Sequence, residues 1–343
     1  MKVLVTGGTG FVGRAVCREL SRNGYIVKVL HRLTSNLKPL ADIANLELVP
    51  GDLADTESLR VACKDAEVVF HIAALYREAK FKDQVYWEAN LEGTRRLLEA
   101  SRETRVRRFI YCSTTGVMGH ISLPPADETH PYNPDDVYQQ SKAEAEKLVL
   151  EWFKSGKIEG LVIRPTMIWG PEDTRLFKIF KGVATKTLPV IGSGKTLNHY
   201  ILVNDLARAF RLAAESPLSG EVYLVGGERV VTLEHCMETI AKCYGVKLFP
   251  IKIPAWPIQL LGSAVECICK PFGIEPPIHR RRADFFIKSR AFNISKAKQD
   301  LKFEPTFSFE DEAKYVAKWY VDNCWITLND EITLQYPVGI ERL

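Results

Sequence analysis

The chain has 343 residues with 46 basic and 42 acidic side chains, a charge balance that argues against nucleic-acid binding and a length that suits two lobes. Eight cysteines occur without C-x-x-C spacing, which fits reduced thiols in a cytoplasm and gives no reason to expect a metal. The first strand starts at residue 2, leaving no room for a targeting segment, and no apolar run reaches the roughly eighteen residues of a membrane span. The nearest, Ile253 to Cys269, is interrupted by Pro254, Pro257, Gln259 and Glu266. It reads as an amphipathic helix over a substrate cleft, with shallow membrane contact as the second reading.

Lys2 to Thr6 is an apolar run of strand length, and Gly7-Gly8-Thr9-Gly10-Phe11-Val12-Gly13 follows without a spacer. Apolar residues then recur at helical spacing from Phe11 to Leu20, so the glycine turn opens a helix. Glycines at 7, 10 and 13 allow a tight turn, a close backbone approach to a pyrophosphate and helix packing on the sheet, while the helix N-terminus offers orphan N–H donors. A dinucleotide site is expected. The second strand, Tyr25 to Leu30, ends at His31-Arg32, and no acid occurs from His31 to Lys38. An acid there would bind the ribose 2′-hydroxyl of NAD and an arginine the 2′-phosphate of NADP, so NADP is favoured, with NAD as the alternative.

Leu46 to Val49 reads as a third strand, followed by Asp52-Leu53, where Asp52 is either an acceptor for the adenine amino group or the N-terminal cap of the next helix. Val68 to Ala74 is a continuous apolar strand whose small Ala73-Ala74 end lets the backbone approach the cofactor. His71, within it, reads as a packed histidine. A helix from Tyr86 to Ala100 carries Asn90, and the strand begun by Phe109 to Cys112 delivers Ser113-Thr114-Thr115 at its ligand-facing end. Tyr138 and Lys142 fall one turn apart on a helix that runs to about Phe153, and Leu161 to Ile163 is a strand leading into Arg164-Pro165-Thr166. Beyond Pro171 come a helix over Leu176 to Thr185, a loop over Leu188 to Gly194, a strand over Tyr200 to Asp205, a helix to Ala214, and a late strand over Val222 to Val225 that returns to the sheet.

These alternations predict an α/β fold, a Rossmann doubly wound parallel sheet with a smaller, mostly helical C-terminal substrate lobe. The cofactor domain is expected at 1–171 plus about 196–226, and the substrate lobe at 172–195 plus 227–325; the tail at 326–343 is unassigned. A free phenol is a poor base at neutral pH, but the Lys142 ammonium stabilises its phenolate. Tyr138 can then exchange a proton with a substrate hydroxyl or carbonyl while Thr114 holds the same oxygen.

The glycine turn, Gly51-Asp52-Leu53, Asn90 to Thr94, the Ser113-Thr114 strand end, Tyr138 to Lys142, Arg164-Pro165 and Val203-Asn204-Asp205 resemble the extended short-chain dehydrogenase/reductases, the NAD(P)-dependent epimerase/dehydratase group. The resemblance implies Tyr138 as acid/base, Lys142 on the nicotinamide ribose, Thr114 as substrate-oxygen donor, Asn90 in support, and Pro165 and Thr166 near the nicotinamide. It raises a homodimer through the Tyr86–Ala100 and Tyr138–Phe153 helices. Sugar 4,6-dehydratases carry an Asp-Glu pair after the Thr, whereas this chain has Thr115-Gly116. Nucleotide-sugar epimerases place an Asn at Met167 and an Arg at Asn198, both serving the substrate diphosphate; Arg281 and Arg282 match a later phosphate-binding Arg or form a solvated charge run. Val29 to Arg32 and the Pro254 to Phe272 stretch look more like dihydroflavonol-reductase-like and hopanoid-associated sugar epimerase relatives, which include enzymes of apolar alcohols and ketones. The leading expectation is an NAD(P)-dependent oxidoreductase of a secondary alcohol and a ketone, a small-molecule substrate. A nucleotide-sugar epimerase that retains its cofactor is the alternative, and a non-catalytic nucleotide-binding scaffold the third.

Overall fold

In the computed structural model, residues 1–76, 81–257, 260, 265, 286–328 and 334–339 are described. The strands are β1 (Lys2–Thr6), β2 (Ile26–His31), β3 (Leu46–Pro50), β4 (Val68–His71), β5 (Arg108–Cys112), β6 (Glu159–Pro165), β7 (Met167–Trp169), β8 (Val190–Ile191), β9 (Leu197–Leu202), β10 (Val222–Val225), β11 (Val230–Thr232) and β12 (Lys252–Ile253). The helices are α1 (Phe11–Arg22), α2 (Thr56–Cys63), α3 (Asp83–Tyr86), α4 (Gly93–Glu103), α5 (Val137–Lys154), α6 (Phe177–Ala184), α7 (Val203–Glu215), α8 (Leu233–Cys243), α9 (Ser295–Leu301) and α10 (Phe309–Asp322).

Seven strands form one sheet in the order β10-β6-β5-β4-β1-β2-β3, every neighbouring pair parallel. Side chains alternate between its faces. Val3, Val5, Val29, Phe70 and Ile163 join the core with Val16 and Leu20 of α1 and Leu206 and Phe210 of α7. Leu4, Val69, Phe109 and Val162 pack on the other face against Leu59, Leu97, Val149 and Trp152 from α2, α4 and α5. Burial on both faces is why these strands read as unbroken apolar runs.

A second core gathers Trp169, Phe180, Tyr200, Leu202, Met237, Ile240, Phe309 and Tyr320. Trp169 stacks with Tyr200 (4.8 Å) and with Phe309 (5.3 Å), and its indole N–H donates to Glu312 at 2.7 Å. A small sheet in the order β11-β9-β7 and the β8-β12 pair complete this part.

The structure departs from the sequence expectations at several points. The strand expected over Tyr200 to Asp205 ends at Leu202, and β9 pairs with β7 and β11 rather than with the large sheet. Its apolar run satisfies a small sheet as well as a large one, so periodicity does not distinguish them. Val190 and Ile191, expected in a loop, pair with Lys252 and Ile253. Helix α9, expected in the substrate lobe, returns Ala297, Leu301 and Phe303 to the core of the large sheet. Asp55, not Asp52, caps α2 by accepting from the Glu57 N–H at 3.1 Å; Asp52 accepts from Ala54 N–H within the preceding turn. In the unassigned tail Ile326 is buried in the second core and Tyr336 donates to Asp322. The Ile253 to Cys269 stretch falls largely outside the described residues, and among those described no helix is long and apolar enough to cross a membrane.

Helix α5 is fastened to the sheet by a buried ion pair. Glu146, with its side chain 0% exposed, accepts from Arg164 of β6 at 2.5–3.2 Å, from Tyr132 at 2.7 Å and from Ser113. Removing one partner of such a pair leaves a buried charge uncompensated, at a cost of about 3–5 kcal/mol. Urea denaturation of Glu146→Ala should show a loss of that order, with Glu146→Gln less affected; a loss below about 1 kcal/mol would mean the pair is solvated or dispensable.

Candidate active site

The glycine turn lies at the C-terminal end of β1, where Gly10 N–H donates to the Gly7 carbonyl at 2.9 Å and Gly10 is the N-cap of α1. Gly7 has φ +73, and a Cβ there would meet the Ala73 nitrogen at 2.7 Å; a Cβ at Gly13 would meet the Gly7 oxygen at 2.0 Å. The turn therefore brings the loop after β4 and the first turn of α1 against bare backbone. No side chain caps α1 and its first turn holds no acid. The N–H groups at Phe11, Val12 and Gly13 form an uncompensated positive terminus suited to a phosphate. Thr166 Oγ1, just past the end of β6, is buried and has no hydrogen-bond partner among the described residues. An uncapped helix, a glycine cradle and, past β4 and β5 on the same C-terminal edge of the sheet, an orphaned hydroxyl fit a dinucleotide.

Asp136 caps α5 by accepting from the Gln139 N–H at 2.9 Å, which sets the register that places Tyr138 and Lys142 one turn apart. Lys142 is only 2% exposed. Its ammonium donates to the Cys112 carbonyl at 2.7 Å and lies 4.1 Å from the centroid of the Tyr111 ring. Burial pushes this amine down to about 8. Cys112 is the last residue of β5, so the same contact ties α5 to the strand end that carries Thr114. Thr114 Oγ1 accepts from the Gly116 N–H at 3.0 Å, which leaves its own proton to donate. Thr115 instead donates to the Pro165 carbonyl at 3.2 Å, joining the ends of β5 and β6.

Asn90 sits in a π-helical turn, Trp87–Glu92, between α3 and α4. Its amide accepts from the Leu75 N–H at 2.7 Å and donates to Ser141 at 3.0 Å; Ser141 in turn donates to the Tyr138 carbonyl. The periodicity of Tyr86 to Ala100 does not reveal the extra residue of this turn, which aims Asn90 at both the β4 loop and α5. His71 is buried between Thr6 (2.8 Å) and Thr94 (2.9 Å), and Thr94 donates to the Asn90 carbonyl. Thr94 must then accept from Nε2–H, which assigns the tautomer with Nδ1 accepting from Thr6. Burial, reinforced by the Lys142 charge, holds this imidazole neutral, well below its ordinary value. It is a packed, hydrogen-bonded histidine.

The remaining residues singled out from sequence spread along the sheet's C-terminal edge. Arg32 is exposed beyond β2 in a turn closed by the Ser35 N–H on its carbonyl, and Asp52 is exposed beyond β3, next to Leu53. Ala73 and Ala74 lie past β4, which stops at His71 because the chain leaves the sheet there, with Ala73 N–H donating to Thr6. Pro165 ends β6 and Met167 begins β7. Asn198 is 0% exposed within β9, with Nδ2 on the Thr196 carbonyl at 3.4 Å. Arg281 and Arg282 lie outside the described residues. Sequence inspection did not single out Glu146, Tyr76 or Arg175. Glu146 lies one further turn along the face of Tyr138 and Lys142, a signal that spacing could have given. The Tyr76 ring meets that of Tyr138 edge-on at 5.0 Å, a contact with no signature in the sequence.

Residues 3–226 match the NAD dependent epimerase/dehydratase family. A 3-beta-hydroxysteroid dehydrogenase of Mycolicibacterium neoaurum is 30% identical over 347 residues, which cover 94% of this chain and 92% of that protein. A 4-hydroxy-2-methyl-3-oxo-4-farnesyl-3,4-dihydroquinoline-1-oxide ketoreductase of Stigmatella aurantiaca is 31% identical over 309 residues, 88% of this chain and 92% of that protein. The crystal structure of gox2253 superposes with a TM-score of 0.80 at 31% identity, covering 95% of this chain and 99% of that one. The chain belongs to the NAD-dependent epimerase/dehydratase family, the extended short-chain dehydrogenase/reductases, and is an NAD(P)-dependent oxidoreductase.

Proposed function

We propose that the protein interconverts a bulky apolar ketone and its secondary alcohol, with NADP(H) preferred and Tyr138 as the proton donor and acceptor. The observation that carries this reading is the buried Lys142 ammonium, held on the strand end that bears Thr114 and one turn from Tyr138. When bound, the nicotinamide supplies or takes the hydride. Thr114 donates to the substrate oxygen, Tyr138 hands it a proton as the ketone becomes an alcohol, and Lys142 stabilises the phenolate that remains. Gly7, Thr9, Gly10, Phe11, Val12 and Gly13 would cradle the diphosphate. Asp52 and Leu53 would flank the adenine, Ala73 and Ala74 would approach the cofactor through their backbone, Lys142 would reach the ribose, and Pro165 and Thr166 would border the nicotinamide.

The names of the two relatives, a hydroxysteroid dehydrogenase and a ketoreductase of a farnesylated ketone, support an apolar substrate class. Epimerisation of a nucleotide sugar is the second reading, kept open by the family. Met167 and the fully buried Asn198 stand where such epimerases, by resemblance, carry diphosphate contacts, which favours the first. Steady consumption of added NADPH with steroid-like or long-chain ketones supports reduction; tightly retained cofactor without net turnover supports epimerisation.

On an active ketone, Tyr138→Phe should lower kcat by about a hundredfold or more, as expected for loss of a positioned general acid. Full turnover in that variant would end the proposed mechanism. For cofactor choice, Arg32→Ala should weaken NADPH binding about tenfold, since a charge-assisted hydrogen bond contributes about 1.5–3 kcal/mol, and leave NADH within twofold. Equal losses for both nucleotides would mean that Arg32 does not read the 2′-phosphate.

Lys142 also makes a pH prediction. Its amine is held at about 8 against an ordinary 10.5, so between those values the unfolded chain binds more protons than the folded one. Stability contributed by this group therefore rises with pH across that window. The stability of wild type relative to Lys142→Met, without ligand, should increase by about 2 kcal/mol from pH 8 to 10 in denaturant titrations. A difference that stays flat would place the ammonium in solvent.

A further inference from the structure

The loop after β7 presents an arginine to the glycine turn. Glu172, at φ +69, is held by Arg14 of α1 at 2.6 Å and by Arg18 at 3.5 Å. The next residue, Asp173, is 1% exposed. Its carboxylate accepts from the Arg175 backbone N–H (2.9 Å) and Nε (3.2 Å) and from the Leu176 N–H (3.2 Å), and its carbonyl accepts from Tyr320 of α10 at 2.7 Å. The backbone and the Nε side of Arg175 are thereby fixed. Its guanidinium carbon lies 5.7 Å from the centroid of the Phe11 ring and 5.5 Å from that of Tyr76, the ring that meets Tyr138. Among the described residues its Nη groups make one hydrogen bond, a long 3.4 Å contact to the Ile168 carbonyl, and the side chain is 42% exposed.

We infer that Arg175 binds the diphosphate of the dinucleotide together with the uncapped N-terminus of α1. Phe11 is the first residue of that helix, so a cation stacked on its ring stands beside donors that lack an anion. The arginines of α1 that lie nearest the turn are already engaged by carboxylates, Arg14 by Glu172 and Arg18 by Glu172 and Asp42, and Asp173 divides its oxygens between Arg175 and the start of α6. A planar guanidinium with its Nη edge outward suits two adjacent phosphate groups better than an ammonium does. The inference rests on the dinucleotide reading of the glycine turn.

The test is binding, not turnover. Calorimetric titration of wild type, Arg175→Met and Arg175→Lys with NADPH, ADP-ribose and adenosine 2′-phosphate separates the diphosphate from the adenosine end. Arg175→Met should weaken NADPH and ADP-ribose about tenfold and leave adenosine 2′-phosphate within twofold, with Arg175→Lys in between. NADPH binding by Arg175→Met within twofold of wild type overturns the inference. So does an equal loss of adenosine 2′-phosphate, which would mean a disturbed loop rather than a lost contact. A wild-type protein that binds none of the three ligands would sink the dinucleotide reading itself, and this inference with it.

Discussion

A single buried ammonium organises the site. Among the described residues Lys142 has one hydrogen bond, to the last carbonyl of β5, and an aromatic face beneath it. Taking an ammonium out of water is costly unless other groups replace its hydration. That cost lowers the amine to about 8, because burial favours the neutral form. A ribose hydroxyl and a phenolate are the kinds of partner that would restore its charge, and Tyr138 is one turn away. The protein tolerates an unfavourable lysine where the proposed chemistry needs a cation that water cannot screen.

Around that lysine the ends of β5 and β6 are tied to α5. Glu146 collects Arg164, Ser113 and Tyr132, so the segments leading to Thr114 and to Thr166 share one buried carboxylate. Asn90 does the same for the loop after β4 and for α5. The hydrogen-bond chain from Thr6 through His71 and Thr94 to Asn90 starts at the residue before the glycine turn and gives each ring nitrogen of His71 a partner. Such networks specify a single arrangement only when complete, and this one links the residue before the glycine turn to Asn90, which holds Leu75 and Ser141.

Much of this was legible in the sequence because it is local. The glycine turn follows a strand directly, the tyrosine and lysine share one helix, and the parallel strands read as apolar runs because both their faces are covered. What was not legible depends on the third dimension. Two aspartates compete to cap α2, and the choice falls on Asp55 because the turn at Asp52 is closed by its own carboxylate. Strand β9 has the composition of a large-sheet strand but pairs in a small one, and α9 returns to a core that its place in the chain does not announce. Arg175 gains meaning only because the loop after β7 is pinned to α1 and α10, two elements far from it in sequence.

The central claim is that Lys142 acts through Tyr138 rather than beside it. Residues that act as one unit give losses that do not add. The decisive measurement is a double-mutant cycle of single-turnover ketone reduction at saturating NADPH, with Tyr138→Phe, Lys142→Met and the pair. The account predicts that the double variant reacts about as slowly as Tyr138→Phe alone. Losses that multiply would contradict it and leave the two residues with independent tasks.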